Sequence, residues 1–294
     1  MKFYFFAVFI LVVTGSSSFG QPKVQDFQKV VEDRLRDKDM TLTAVCPIET
    51  NIVAHRVFKD YGAMFIADDV KWPTKCVFAN EAEVTAFQET VKTKSEVING
   101  TTVVLQEEAM EALIKARKEA AKRGLTITPR GGSASKRSFG DTARIWNSRF
   151  EPGLKYWIGK RKLTAAQAEA ARRLDVIAQV AQVIEWEKNE WWFSTGFNRS
   201  IFSSVAAPGT SQHLSMLALD VSEFANKEVR AVLNHYGWYQ TIIDDTPHFT
   251  YIGRDEGDLP NHGLRAEPRG GFTFWIPNFD REFGADRPEG KTPR

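Results

Sequence analysis

Apolar positions along the chain fall into a few registers separated by turn-rich stretches. Val24, Phe27, Val30, Val31 and Leu35 return on one side of a 3.6-residue period, which predicts a short amphipathic helix over 24–36. Between 41 and 73 apolar residues mix with turn formers and no element is assigned. From 103 to 122, Leu105, Ala109, Leu113, Ala116 and Ala120 recur at helical spacing, and Gly124 stands ready to close the helix. Residues 125–128 predict a strand that leads into a Gly, Ser and basic loop over 129–136. A second long helix is expected from Thr164 to about Trp192, opened by a capping box between Thr164 and Gln167. Two strand patterns follow. In 217–221, Leu217, Leu219 and Val221 alternate with Ala218 and Asp220, and a second run begins at His248 after Pro247. Residues 277–294, rich in Pro, Gly and charge, read as a flexible tail.

The first apolar run differs in kind. Met1 and Lys2 precede an apolar stretch over 3–13, and small residues follow, with Ser18 and Gly20 placed as before a cleavage site. This is the pattern of a secretory signal peptide over 1–20, too short for the roughly 20 residues of a spanning helix. The expected mature chain starts at Gln21, is exported (periplasmic or secreted) and has no stable membrane span. Export changes how the cysteines read. Cys46 and Cys76 are an even pair, which in an oxidising compartment predicts a disulfide, and two thiols are too few for a thiolate zinc site.

Composition narrows the function classes. The chain has 294 residues, 43% hydrophobic and 26% charged, which suits a soluble globular protein and excludes a mainly disordered or fibrous one. Lys and Arg total 39 against 37 Asp and Glu, a net charge of +2, which gives no reason to expect nucleic acid as a partner. With only five His, any patterned His is informative.

Two segments carry chemistry. Asp220 projects from a half-buried strand, where an unpaired carboxylate is costly, and His213 can reach it across a turn. In the second segment His248 opens a strand and Asp245 stands in the turn three residues earlier. His213, Asp220 and His248 make a two-His, one-carboxylate set, the catalytic type of zinc site that leaves a fourth position for water. Asp245 is placed to accept that water's proton. Calcium prefers oxygen ligands, so two imidazoles argue against it. His55, His235 and His262 fall outside these patterns and read as structural residues. Asn99-Gly100-Thr101 and Asn198-Arg199-Ser200 are sequons, relevant only in a host that glycosylates exported proteins.

Ser211-x-His213-x-x-x-x-Ala218-x-Asp220, followed by Asp245-x-Pro247-His248-Phe249, resembles the signature of the LAS zinc peptidases. That group includes the VanY-type D-alanyl-D-alanine carboxypeptidases and the L-alanyl-D-glutamate peptidases. Gly237-Trp238 before the second motif is similar to the family's Gly-Trp. The helix over 105–122, the strand after it and Arg137-Ser138-Phe139 are similar to its helix, strand and Tyr-Arg-Ser-Tyr. The likeness covers residues 103–253.

The resemblance implies an α+β fold, a small antiparallel sheet with flanking helices of the LAS or hedgehog-like kind. This peptidase domain would span 101–276, behind an N-terminal region 21–100 of unknown role. It implies Zn2+ on His213, Asp220 and His248, with Asp245 as the general base. Arg137, or its rival Arg130, would hold the substrate carboxylate or the reacting oxygen, and Ser211 would bind substrate near the metal. The expected substrates are peptidoglycan stem peptides. They would be cut as by a D-alanyl-D-alanine carboxypeptidase or, alternatively, an L-alanyl-D-glutamate endopeptidase. A further alternative is a non-catalytic cell-wall binding protein. Three positions depart from the family pattern: Met216 where Gly is common, Thr142 where Gln is common, and Asp245 where the carboxypeptidases carry Glu.

Overall fold

A computed structural model describes residues 23–284, so the expected signal peptide over 1–20 lies outside the described residues. Asp26 accepts a hydrogen bond from the Lys29 amide and caps the first helix, α1 (Phe27–Arg36), whose buried stripe is Phe27, Val31 and Leu35. The stretch 41–73, expected to lack elements, is largely helical. Thr41 caps α2 (Leu42–Val45), and Asn51 caps α3 (Ile52–Tyr61), which runs on into a 3-10 turn, Gly62–Ile66. Its polar turn formers are helix caps rather than loop residues. A disulfide joins Cys46 at the end of α2 to Cys76, ahead of α4 (Glu81–Glu89). Its sequence separation of 30 limits the unfolded chain enough to be worth about 2–4 kcal/mol.

The helix expected over 103–122 is divided. Thr101–Gln106 is strand β2, paired antiparallel with β1 (Thr93–Ile98), and α5 (Glu107–Lys122) follows it. Val103 and Leu105 are buried with the two-residue period of a strand. Asn99 and Gly100 turn the hairpin at φ 49 and 77, so the boundary expected at residue 100 falls on a tight turn within one pair of strands. The strand expected over 125–128 is also absent. Only Pro129 makes a bridge, to Val221, while Thr128 accepts from the Ser222 amide at 2.9 Å. Residues 138–159, given no element beforehand, form the cap and length of helix α6 (Phe139–Gly159), opened by a Ser138–Asp141 capping box. Gly153 in α6 lets the Phe193 ring approach, because a Cβ there would sit 2.1 Å from it. The single helix expected from Thr164 to Trp192 is two, α7 (Ala165–Arg172) and α8 (Val176–Glu187). Asp175 breaks it by capping α8 through the Ala178 amide, and the Thr164–Gln167 capping box opens α7.

The remaining elements build the centre of the molecule. Strands β3 (Ala218–Asp220), β4 (Trp238–Tyr239) and β5 (His248–Tyr251) form an antiparallel sheet in the order β3-β5-β4, with helix α9 (Lys227–His235) leading into β4. Asp220 lies directly opposite His248 in this register. Gly237, which turns the chain into β4 at φ 76, has no room for a Cβ, since one would lie 2.7 Å from Gly253. A last hairpin pairs β6 (Leu264–Arg269) with β7 (Phe272–Pro277). The architecture is α+β, with small antiparallel sheets and flanking helices. One apolar cluster includes Phe27, Phe58, Trp146, Leu219, Phe249 and Phe279, so residues before and after position 100 share a core. Of the expected tail over 277–294, Phe279 is buried edge-on against Phe58, and 285–294 lie outside the described residues. Among the described residues no helix is long and apolar enough to cross a membrane.

Candidate metal centre

His213 sits in a 3-10 turn (Gln212–Ser215) that Ser211 caps from the front, while Asp220 and His248 face each other across β3 and β5. One nitrogen from each imidazole and one carboxylate oxygen converge. His213 Nε2 lies 3.1 Å from His248 Nδ1, and Asp220 Oδ1 is 3.4 Å from both. The protons on these rings are set by the other nitrogens. His213 Nδ1 donates to the Ser135 carbonyl at 2.7 Å. His248 Nε2 donates to Gln212 Oε1 at 2.8 Å, and the Gln212 amide is fixed the right way round because its Nε2 donates to the Tyr61 carbonyl at 2.8 Å. Burial pushes the His213 pKa down to about 4, helped by the Arg137 charge and opposed by Asp220. The ring is therefore neutral at pH 7, and its Nε2 is a bare lone pair.

With the proton of each ring on its other nitrogen, three acceptor atoms point at one place, an arrangement a cation resolves. A tetrahedral ion with zinc's bond lengths of about 2.0–2.1 Å sets its donors about 3.3–3.4 Å apart, which matches the separations here. These three residues can hold a metal ion. Residues behind them orient the donors, as outer-shell groups do at metal sites. Gln212, the Ser135 carbonyl and Thr250, whose hydroxyl donates to Gln212 Oε1 at 2.5 Å, were not singled out from the sequence. Gln212 had a signal, its place between Ser211 and His213; the Ser135 contact uses backbone and has none.

The other expected site residues separate. Arg137 Nη2 donates to Asp220 Oδ2 at 2.6 Å and its Nε donates to the Ser133 carbonyl, so its guanidinium serves a carboxylate of this chain. Burial raises the Asp220 carboxyl, and His213 and then His248 lower it only when their rings carry a proton towards it. Arg130 donates its backbone N–H to the Asp220 carbonyl, and its guanidinium lies over the Phe224 ring, 5.2 Å from the centroid, with no ion pair among the described residues. Both arginines, Ser211 and Asp245 line a cavity of about 220 Å3 together with the three donor residues. Asp245 accepts no side-chain hydrogen bond from the described residues. Loss of hydration pushes its carboxyl up to about 6; Asp220 adds to the rise, while His248, Arg137 and Arg130 oppose it.

Tyr61 and Arg149 are among the further residues of the cavity wall that carried no sequence expectation. Tyr61 comes from α3, in the region 21–100 that carried no role. Arg149 comes from α6; its Nε is buried without a partner and its Nη1 reaches only Ser148. The departures from the family pattern also resolve. Met216, buried, adopts φ 55 and ψ 33, the left-handed conformation that glycine takes freely, so the turn keeps a glycine-like shape at a cost of roughly 1–2 kcal/mol. Thr142 does not line the cavity; its hydroxyl donates to the Phe139 carbonyl and accepts the Gly209 amide.

No protein-family model matches this chain, and no curated protein matches it. Several solved structures are similar. One is the crystal structure of a mutant of the vancomycin resistance D,D-pentapeptidase VanY from a VanB-type resistance cassette, in complex with Zn(II). It is 18% identical, covers 55% of this chain and 79% of its own, and has a TM-score of 0.32. A structure of VanYB in complex with D-alanine-D-alanine is 18% identical over 59% of this chain and 84% of its own, at a TM-score of 0.35. The LdcB LD-carboxypeptidase is 16% identical over 57% of this chain and 68% of its own, at 0.30. At these TM-scores the likeness bears no weight for the site, whose chemistry rests on its own residues.

Proposed function

We propose that this chain is an exported zinc peptidase that hydrolyses peptidoglycan stem peptides, acting as a D-alanyl-D-alanine carboxypeptidase. The observation that carries the reading is the convergence, in one cavity, of three metal-ligating side chains, a carboxylate that accepts no side-chain hydrogen bond from the described residues, and Arg130 and Arg149, which form no ion pair among the described residues. His213, Asp220 and His248 hold the metal. When bound, zinc supplies Lewis-acid polarisation of the scissile carbonyl and acidifies water at neutral pH. Asp245, with its carboxyl near 6, is ionised at pH 7 yet close enough to that pH to take a proton and return it to the leaving amine. Arg137 neutralises Asp220 by pairing with its Oδ2, while Oδ1 lies towards the two imidazoles and would be the oxygen offered to the metal. Arg130 and Arg149 bind the carboxylate at the substrate's C-terminus, since a planar guanidinium pairs with a carboxylate through two hydrogen bonds. Ser211 contacts the peptide beside the donors. The disulfide and the apolar leader support export.

One feature favours a second reading, cleavage between L-alanine and D-glutamate: the base is the shorter Asp245, as in the peptidases of that specificity. Mass spectrometry of digested muropeptides separates the two, because loss of a single alanine marks the carboxypeptidase and a severed stem the endopeptidase. The same assay tests the mechanism. The Asp245→Asn protein is expected to retain zinc while turnover falls about 10²–10⁴-fold. Undiminished cleavage by that variant would remove Asp245 from the chemistry. Bound zinc with no turnover by the unaltered protein on any stem peptide would leave a non-catalytic binding protein.

A further inference from the structure

A second cavity, of about 340 Å3, adjoins the metal cleft. The two share a dividing wall. Phe202 and Ser203 face the second cavity while Ser204, Val205 and Ala206 face the first; Ile242, Ile243 and Asp244 face the second while Asp245 and Pro247 face the first. Neighbouring Cα atoms are about 3.8 Å apart, so the two segments that line both cavities set them a few residues apart along the chain.

Its charge is lopsided. Five cationic side chains line it against two carboxylates, Asp60 and Asp244, an excess larger than the +2 of the whole chain. Asp244 is shared by two guanidiniums, with Arg199 Nη1 at 2.8 Å and Arg269 Nε at 3.1 Å, so one negative charge stands between two positive ones. Lys59 meets Glu282, and Arg265 meets Asp280 through both Nη atoms and Asn278 Oδ1; Glu282 and Asp280 lie outside the cavity wall and are 84% and 67% exposed. The exposed Lys59–Glu282 pair is weak, and an incoming carboxylate can replace it. Phe202, Ile276 and Phe279 supply an apolar wall, which strengthens any charge pairing formed against it. Arg265 and Arg269 belong to the β6–β7 hairpin, beyond residues 103–253 of the family resemblance.

We infer that this cavity is an anion subsite, which takes a carboxylate of the acidic peptide whose scissile bond lies at His213, Asp220 and His248. The inference rests on the peptidase reading for the identity of the peptide, and its natural ligand is the free glutamate carboxylate of the stem. Calorimetry tests it with two synthetic stem peptides, one with that carboxylate free and one with it amidated. They are titrated into the full-length, zinc-loaded protein carrying Asp245→Asn, so that the peptide stays whole. The free acid is expected to bind about tenfold more tightly than the amide. Adding Lys59→Ala and Arg265→Gln, whose side chains are already partly exposed, is expected to abolish the difference. Equal affinities for acid and amide in the protein with an intact cavity overturn the subsite, whatever the added substitutions do to folding. A preference that survives both substitutions overturns it as well. The two readings fail separately: cleavage of both peptides by the unaltered protein, with equal binding to the Asp245→Asn protein, sinks only the subsite, and preference for the acid with no cleavage by the unaltered protein sinks only the peptidase.

Discussion

Around Arg254, imidazole, carboxylate and guanidinium groups meet as donor and acceptor. Arg254 Nη2 donates to Asp68 Oδ1 at 2.6 Å, and Arg34 Nη2 donates to the same oxygen at 2.9 Å. Arg254 Nη1 lies 2.6 Å from His262 Nε2, and Asn261 donates to Asp258 Oδ1 at 3.0 Å. Around His213 two imidazole nitrogens and a carboxylate oxygen crowd together at 3.1–3.4 Å, and Asp245 nearby accepts no side-chain hydrogen bond from the described residues. The first network is closed and binds parts of the chain together: α1, the 3-10 turn after α3, and the loop after β5. The second is open, and its geometry has a purpose only when something else enters. What separates a candidate site from a structural cluster is therefore unmet hydrogen-bonding and charge demand, since both contain His, Asp and Arg.

The sharpest way to break this contrast is to remove one imidazole from each cluster. His213→Ala is expected to lose stoichiometric zinc and all measurable turnover, whereas His262→Ala keeps both. Metal content after gel filtration, measured by plasma mass spectrometry, reads the difference. One zinc per chain in the His213→Ala protein would show that the converging lone pairs are not the metal's donors.

Legibility followed the same division. The open cluster was readable because its donors lie on short strands and turns whose period is two, which places Asp220 and His248 by spacing alone. Roles that depend on which partner a group chooses were not readable. The motif resemblance leads one to expect Arg137 to face substrate, yet its guanidinium pairs with Asp220, a residue 83 positions away. Asn99-Gly100 was read as part of a sequon, although in a hairpin it is the residue pair that most readily takes two consecutive positive φ angles. The α6 helix was hidden by Pro152 and Gly153, which in isolation read as helix breakers; Gly153 is there to admit the Phe193 ring. Tyr61 and Arg149 reach the cavity from helices far along the chain from either motif, and no local pattern announces them.

Stability against pH sharpens the comparison, because the two clusters should respond with opposite signs. The Asp245 carboxyl is raised in the folded state, from 3.8 to about 6, so between those values the native chain holds a proton that the unfolded chain has lost. Stability contributed there is full below about pH 4 and falls as the pH rises through 6. Metal-free Asp245→Asn protein is therefore expected to be more stable than the unaltered metal-free protein at pH 7, by at most on the order of 3 kcal/mol, and equal to it at pH 3. In the closed cluster the Asn261 hydrogen bond, and then His262 and Arg254, hold the Asp258 carboxyl below its usual value. Its contribution is present above about pH 4 and disappears as the pH falls through its lowered pKa. Asp258→Asn is expected to destabilise at pH 7, by little because the site is well solvated. Urea titrations at the two pH values measure both, and a loss of stability at pH 7 in the Asp245→Asn protein would contradict an open, unmet carboxylate.

The finest distinction lies behind the donors, where the open cluster becomes closed. Gln212 accepts from His248 Nε2 and Thr250 Oγ1, and donates to the Tyr61 carbonyl. Thr250 in turn is 2.6 Å from Thr241 Oγ1. This chain of bonds keeps the His248 proton on Nε2 and so leaves Nδ1 free for the metal. Gln212→Ala strands a buried imidazole N–H and a buried carbonyl, and frees the ring to change tautomer. It is expected to weaken zinc binding about 10–100-fold, while the zinc-saturated protein retains most of its turnover. Thr241→Val, one bond further out, removes a hydroxyl that never touches the imidazole and should weaken zinc binding less. Competition with a chromogenic chelator ranks the two variants. Equal affinities in Gln212→Ala and the unaltered protein would mean that the tautomer is set by the metal itself. The sheet register and the Ser135 contact would then hold the donors without help from Gln212.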